Sequence, residues 1–222
     1  TSGGYKYYKF NASGSITSVS AGTSTISYTV TGTGGCADVA GTRVLTVTSP
    51  PNTGVLSGNQ AICIAGTSTF SSTITGGTWS SADPSIASVD ATTGVVTGVA
   101  VGTVNIIYTV TGTGGCTDVS VTRSVTVTAP PDPGVLSGIN AICNSDVSTF
   151  TSTIAGGTWS SGTPSVATID ATTGFITSLS VGSSVMSYTV TGSGGCADVA
   201  ATRTLTVTAP PTAGSLSGTQ AI

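Results

Sequence analysis

Between Thr103 and Thr128 apolar and polar residues alternate in two runs. Val104, Ile106, Tyr108 and Val110 take every second position, and after a break Val119, Val121, Val125 and Val127 do the same against Ser and Thr. A period of two, rich in β-branched residues, predicts two strands that each bury one face. The break, TGTGGC, predicts a tight connection, because glycine adopts φ > 0 at no steric cost. Ala129-Pro130-Pro131 ends the second strand, since proline has no N–H to give to a ladder.

The same hairpin pattern ends at Pro51 and again at Pro211. Residues 51–130 and 131–210 align without insertion or deletion and agree at 49 of 80 positions by direct count, so one unit has been copied. The expected organisation is the C-terminal part of a repeat at 1–50, full repeats at 51–130 and 131–210, and the first strand of another at 211–222. The chain reads as a window on a longer array. A unit of this size holds a core of its own, which predicts separate beads in place of a thin solenoid.

Within the second repeat the pattern predicts short strands at GVLSG (54–58), QAICIAG (60–66), TSTFSSTI (67–74, with Phe70 and Ile74 on one face), TWSS (78–81), IASVD (86–90) and VVTGVAVG (95–102). Asp90 is placed to form an Asx turn over ATTG. Seven or so strands with turn signals every few residues predict an all-β fold, an antiparallel sandwich.

Charge is sparse: the chain has eight acidic side chains, five basic ones and no histidine, for a net charge of −3. That excludes the basic footprint a nucleic-acid partner needs. No apolar run is long enough for a membrane-spanning helix. The pieces of a catalytic site are also missing: there is no His or Glu to act as a base, and no GxSxG or phosphate loop. The chain is therefore read as non-enzymatic. Its only lysines, Lys6 and Lys9, leave no Lys–Asn crosslink to recur along the array.

GGTWSS, ADPSIASVDATTGVVTGVAVGT and the following YTVTG resemble bacterial immunoglobulin-like domains of group 2. The narrower style, with SGTQAI, AIC and GTGGC, resembles the giant surface adhesins of gliding Bacteroidetes. The resemblance implies tandem immunoglobulin-like antiparallel β-sandwiches with an 80-residue repeat. It also implies an extracellular place on a bacterial cell surface and a stalk or adhesive role, in surface attachment or gliding motility, without a catalytic site. Implied partners are neighbouring repeats and a surface polysaccharide or substratum. An array of carbohydrate-binding modules, or the spacer of a secreted polysaccharide-active enzyme, is the alternative.

Antibody-like sandwiches pack a Trp against a disulfide between two facing strands, with a Tyr two residues before the second Cys. Trp79 and Tyr108 occupy the corresponding places, so Phe70 and Val110 are expected to replace that disulfide with apolar packing. Phe150, Trp159, Tyr188 and Val190 repeat the set.

Cys36, Cys116 and Cys196 form one series at intervals of 80, and Cys63 and Cys143 form another. The spacing is not that of a zinc site, and an extracellular setting favours disulfides. In a sandwich of this topology Cys63 lies at the exit pole of its bead and Cys116 at the entry pole. Strands of about nine residues hold the poles roughly 30 Å apart, whereas bonded Cα atoms lie within about 7 Å. Cys63 to Cys196, between repeats, is the preferred pairing. The same-repeat pairs Cys63–Cys116 and Cys143–Cys196, and free thiols, stay open.

Three further groups invite a function. Arg43, Arg123 and Arg203 recur on the last strand with inward parity; a β-bulge or a rim position would turn them to water, and an ion pair with Asp118 or Asp90 would hold them inside. Asp83, Asp90 and Asp118 are candidate calcium ligands, but no DxDxDG loop gathers them, and no cofactor is expected. TSGGYKYYKF departs from the repeat, and Tyr5, Tyr7 and Tyr8 are a candidate glycan-stacking patch beside the bland reading of a diverged strand.

Overall fold

The computed structural model describes residues 20–215 and 217–218, which form strands and turns with no helix. The candidate patch Tyr5, Tyr7 and Tyr8 lies outside the described residues.

The first described hairpin is β1 (Gly22–Val30) and β2 (Val39–Val47). The second repeat follows as β3 (Leu56–Ser57), β4 (Ala61–Cys63), β5 (Thr67–Thr69), β6 (Ser71–Ser72), β7 (Thr78–Ser81), β8 (Ala87–Val89), β9 (Val95–Gly98), β10 (Gly102–Val110) and β11 (Val119–Thr128). The third reproduces it as β12 (Leu136–Ser137), β13 (Ala141–Cys143), β14 (Val147–Thr149), β15 (Thr151–Ser152), β16 (Thr158–Ser161), β17 (Ala167–Ile169), β18 (Phe175–Ser178), β19 (Gly182–Val190) and β20 (Val199–Thr208).

Each full repeat is an immunoglobulin-like sandwich. One sheet has the order β4-β11-β10-β7 and faces β5-β9-β8, which the pair β3-β6 extends. All pairings in it are antiparallel except the short one of β4 with β11, which is parallel and sets Cys63 beside Thr128. β4 lies alongside the last strand, and the turn at 63–66 then carries the chain across to β5 in the other sheet. Gly66 N–H there donates to Cys63 O, and Ala65 takes a positive φ of 62°.

The stretch 67–74 is two strands, not one. Phe70 N–H donates to Gly94 O, β5 on one side of it pairs with β9, and β6 on the other pairs with β3. The strand thus changes partner at Phe70, whose ring is driven inside while Ile74 is left exposed. The strand predicted over 95–102 also ends early. Val99 and Ala100 N–H both donate to Ile86 O, so 99–101 make a bend with Val99 and Val101 outside.

The interior of each repeat is its own. Phe70, Trp79, Val96, Ile106, Tyr108, Val125 and Val127 are buried in one cluster. Phe150, Trp159, Ile176, Met186, Tyr188, Leu205 and Val207 make the other. Trp79 is the hub: its ring lies 4.6 Å from Tyr108 and 6.3 Å edge-on from Phe70, with 4.7 and 6.2 Å for Trp159 in the copy. Val110 and Val190 are half-buried and pack on the margins of these clusters.

Tyr108 ties the core to the entry pole. Its hydroxyl accepts from Gly77 N–H at 2.7 Å and donates to Ile74 O at 2.8 Å. Tyr188 does the same with Gly157 and Ile154. Removing the hydroxyl leaves a donor and an acceptor without their partner. Tyr108→Phe is therefore expected to cost about 1–3 kcal/mol, read as a lowered urea midpoint for Trp79 fluorescence in a Trp159→Phe background.

Candidate functional site: the junction between repeats

The contacts that join successive repeats centre on a threonine at the end of each long strand. Thr128 closes β11, and its Oγ1 lies 3.2 Å from both Ser193 O and Gly194 O and 3.3 Å from Cys196 Sγ, all in the β19–β20 loop of the next repeat. Thr48 stands in the same place one repeat earlier. Its Oγ1 donates to Thr113 O at 2.9 Å and lies 3.4 Å from Cys116 Sγ. The separations are 65 and 68 residues at both junctions, so a single mode of seating is used twice.

Glycine makes the seat possible. Gly194 has φ +60°, and a Cβ there would come within 2.6 Å of Thr128 Cγ2; at Gly195 it would meet Ala61 O at 2.8 Å. The loop lies backbone-first against the preceding repeat, and any side chain would lift it off. Asp198 fixes its shape by accepting from Gly192 N–H at 2.8 Å, as Asp118 does with Gly112 and Asp38 with Gly32.

The cysteines meet in this seat. Cys63, at the end of β4 beside Thr128, is bonded to Cys196 with Cα atoms 4.7 Å apart and 133 residues between them in sequence. The same-repeat pairs Cys63–Cys116 and Cys143–Cys196 are not formed. Cys36, Cys116 and Cys143 are free thiols. Cys116 donates toward Thr48 O at 3.7 Å, and Cys196 Sγ lies 3.6 Å from Thr128 O, so the two sulfurs have matching surroundings.

The other candidates are occupied locally. Arg123 keeps its inward parity because the register from Gly102↔Val127 to Val110↔Val119 runs without a bulge. It pairs with neither Asp118 nor Asp90. Its guanidinium sits at the rim over the Phe70 ring, 5.9 Å from the centroid, and donates to Gly58 O at 2.8 Å and Leu56 O at 3.2 Å. Arg203 sits likewise over Phe150 at 5.4 Å and donates to Gly138 O at 2.9 Å and Leu136 O at 3.4 Å, but its buried Nε has no partner among the described residues, where Arg123 Nε donates to Gly58 O. The charge is satisfied by backbone carbonyls and a ring face, a solution that parity alone does not disclose.

The aspartates hold turns. Asp90 Oδ1 accepts from Thr93 N–H at 2.7 Å, Thr93 Oγ1 at 2.8 Å and Thr92 N–H at 3.0 Å, and Asp83 accepts from Ser85 N–H and Oγ. Among the described residues no three His, Cys, Asp or Glu side chains gather as metal ligands would. The Thr93 N–H and hydroxyl, and then Thr92 N–H, hold the Asp90 carboxyl below its usual value of 3.8, and Thr173 and Thr172 do so for Asp170. A depressed folded-state pKa gives stability that is complete above the unfolded value and disappears as pH falls through the folded one. With no histidine to titrate, the melting temperature is expected to stay level from pH 7 to about 5 and to fall below about pH 4. A scan of Asp90→Asn/Asp170→Asn should show a shallower acid limb.

Sequence reasoning passed over Thr48, Thr128 and Gly98. Gly98 admits the Cys63 carbonyl to within 2.6 Å of where its Cβ would stand, while in the third repeat Ser178 fills that place and donates to Asp146 O and Cys143 O. The signal for the threonines was present: Thr recurs two residues before each Pro-Pro pair.

Residues 44–122 match the family model of the bacterial Ig-like domain (group 2). No curated protein matches the chain. Among solved structures, a C-terminal 282-residue fragment of intimin, in complex with the intimin-binding domain of the translocated intimin receptor, is 15% identical with a TM-score of 0.45, over 70% of this chain and 64% of that one. Domains 1–6 of the surface layer protein SbsC are 15% identical with a TM-score of 0.29, over 91% and 37%. Drosophila N-cadherin EC1-3 is 10% identical with a TM-score of 0.27, over 69% and 61%. The chain thus spans less than two thirds of each.

Proposed function

We propose that this chain is a non-catalytic segment of a long bacterial cell-surface adhesin, in which immunoglobulin-like beads form a stalk or adhesive array outside the cell. The observation that carries this reading is the junction: the same threonine–glycine seat is used at both boundaries, and at one a disulfide joins the beads. The polar contacts of this seat and the covalent bond beside it connect one bead to the next. A disulfide fits an oxidising, extracellular compartment. In this reading the neighbouring repeats are the first partners, and a surface polysaccharide or substratum is the external one. Surface attachment or gliding is the process served.

Antibodies raised against residues 51–210 are expected to label intact, unpermeabilised cells of the source organism, and brief external proteolysis is expected to remove the label. Label that appears only after permeabilisation would refute the surface assignment. Saturable binding of the isolated beads to an immobilised polysaccharide would move the reading from stalk to carbohydrate-binding array.

A further inference from the structure

The Cys63–Cys196 bond does more than join two beads, because of where it enters and leaves the chain. Cys63 follows β3 and β4, the first two strands of the second repeat, and Cys196 precedes β20, the last strand of the third. Every strand from β5 to β19 lies between them. The bond therefore closes a loop that holds both tryptophans, all of the hub around each and the linker between the repeats.

We infer that this disulfide is a load bypass: tension along the chain passes from Cys63 to Cys196 through the sulfurs, and every strand from β5 to β19 is relieved of it. Tension between the chain ends follows the shortest covalent route. That route runs along β3 and β4, across the bond, and out along β20. The backbone from residue 64 to 195 is in parallel with a covalent link and cannot be drawn out, whether its sandwiches are folded or not. In the loaded region only β3, β4 and β20 can be peeled. β4 and β20 each lie against a long strand of their own sheet, and β3 is held by β6 and by the Arg123 contacts to Leu56 and Gly58.

This differs from stiffening a hinge. A same-repeat bond would enclose part of one bead, 116 − 63 = 53 residues, and leave the linker under load. The observed bond spans 133 residues and takes the linker out of the load path. At about 3.5 Å per extended residue it withholds about 460 Å of contour. Two unbonded beads would instead act as extensible springs and lengthen as each one opened. The inference rests on connectivity alone and does not depend on what the array attaches to.

The test is single-molecule stretching of the full chain between enzymatically ligated handles at its two ends, before and after treatment with a phosphine reductant. The untreated chain is expected to reach its limit about 460 Å short of the reduced chain, with no more than β3, β4 and β20 drawn out of the second and third beads. Cys63→Ser should extend fully under both conditions. Three results would overturn the proposal: full extension of the untreated protein, a shortfall that survives in Cys63→Ser, or a deficit of two loops of 53 residues, the mark of same-repeat pairing.

Discussion

Trp79→Ala is expected to unfold the second repeat and leave the third standing. Trp79 is 5% exposed, touches the rings of Tyr108 and Phe70, and belongs to a cluster that shares no residue with that of Trp159. Truncating a buried aromatic costs about 3–5 kcal/mol through lost transfer energy and the cavity left behind. A domain of this size has little more than that in hand, since net stabilities run at about 5–15 kcal/mol. The chain has two tryptophans, so in the variant Trp159 alone reports by fluorescence. Its denaturation curve should match that of the third repeat in the unaltered protein, while hydrogen exchange shows residues 51–130 open. A coincident loss of the Trp159 signal would mean that the two interiors depend on one another.

The second large effect is expected from Cys63→Ser. In the chain-entropy picture, closing a loop of 133 residues restricts the unfolded chain by about 5 kcal/mol at 25 °C. Losing the bond should lower the melting temperature of both full repeats, and reductant should lower that of the unaltered protein to the same level. Two controls make the assignment specific. Cys116→Ser removes a free thiol and should leave the melting temperature within error of the parent, and Cys63→Ser should no longer respond to reductant. Under same-repeat pairing Cys116→Ser would be as damaging as Cys63→Ser.

Much of the fold could be read from the sequence because one face of each long strand is buried. Alternation then fixes parity from Val104 to Val110 and again from Val125 to Val127, and copying by 80 residues confirms the frame. The interior of the first sheet, with Trp79, Tyr108 and Val125, follows directly. The short strands were harder. Phe70 ends one pairing and begins another, and no local pattern encodes a change of partner that depends on where β3 and β9 come to lie. For Arg123 the parity and a rim position were legible, but its partners were not: the carbonyls of Leu56 and Gly58 that make an inward Arg tolerable belong to a stretch 65 to 67 residues away. At the junction, geometry favoured Cys63 with Cys196 once the poles were assigned. The part played by Thr128 stayed hidden because its partners belong to a loop that looks, in sequence, like a plain glycine turn.

The seat at the junction has an evolutionary corollary. Every group that makes it is carried within the unit itself, and the threonine meets the loop of the next unit at the same offsets, 65 and 68 residues, at both boundaries. Unequal recombination between copies would therefore insert or delete whole units while regenerating a correct boundary on each side. The number of units can then change in fixed steps without any new complementary surface having to arise by point mutation.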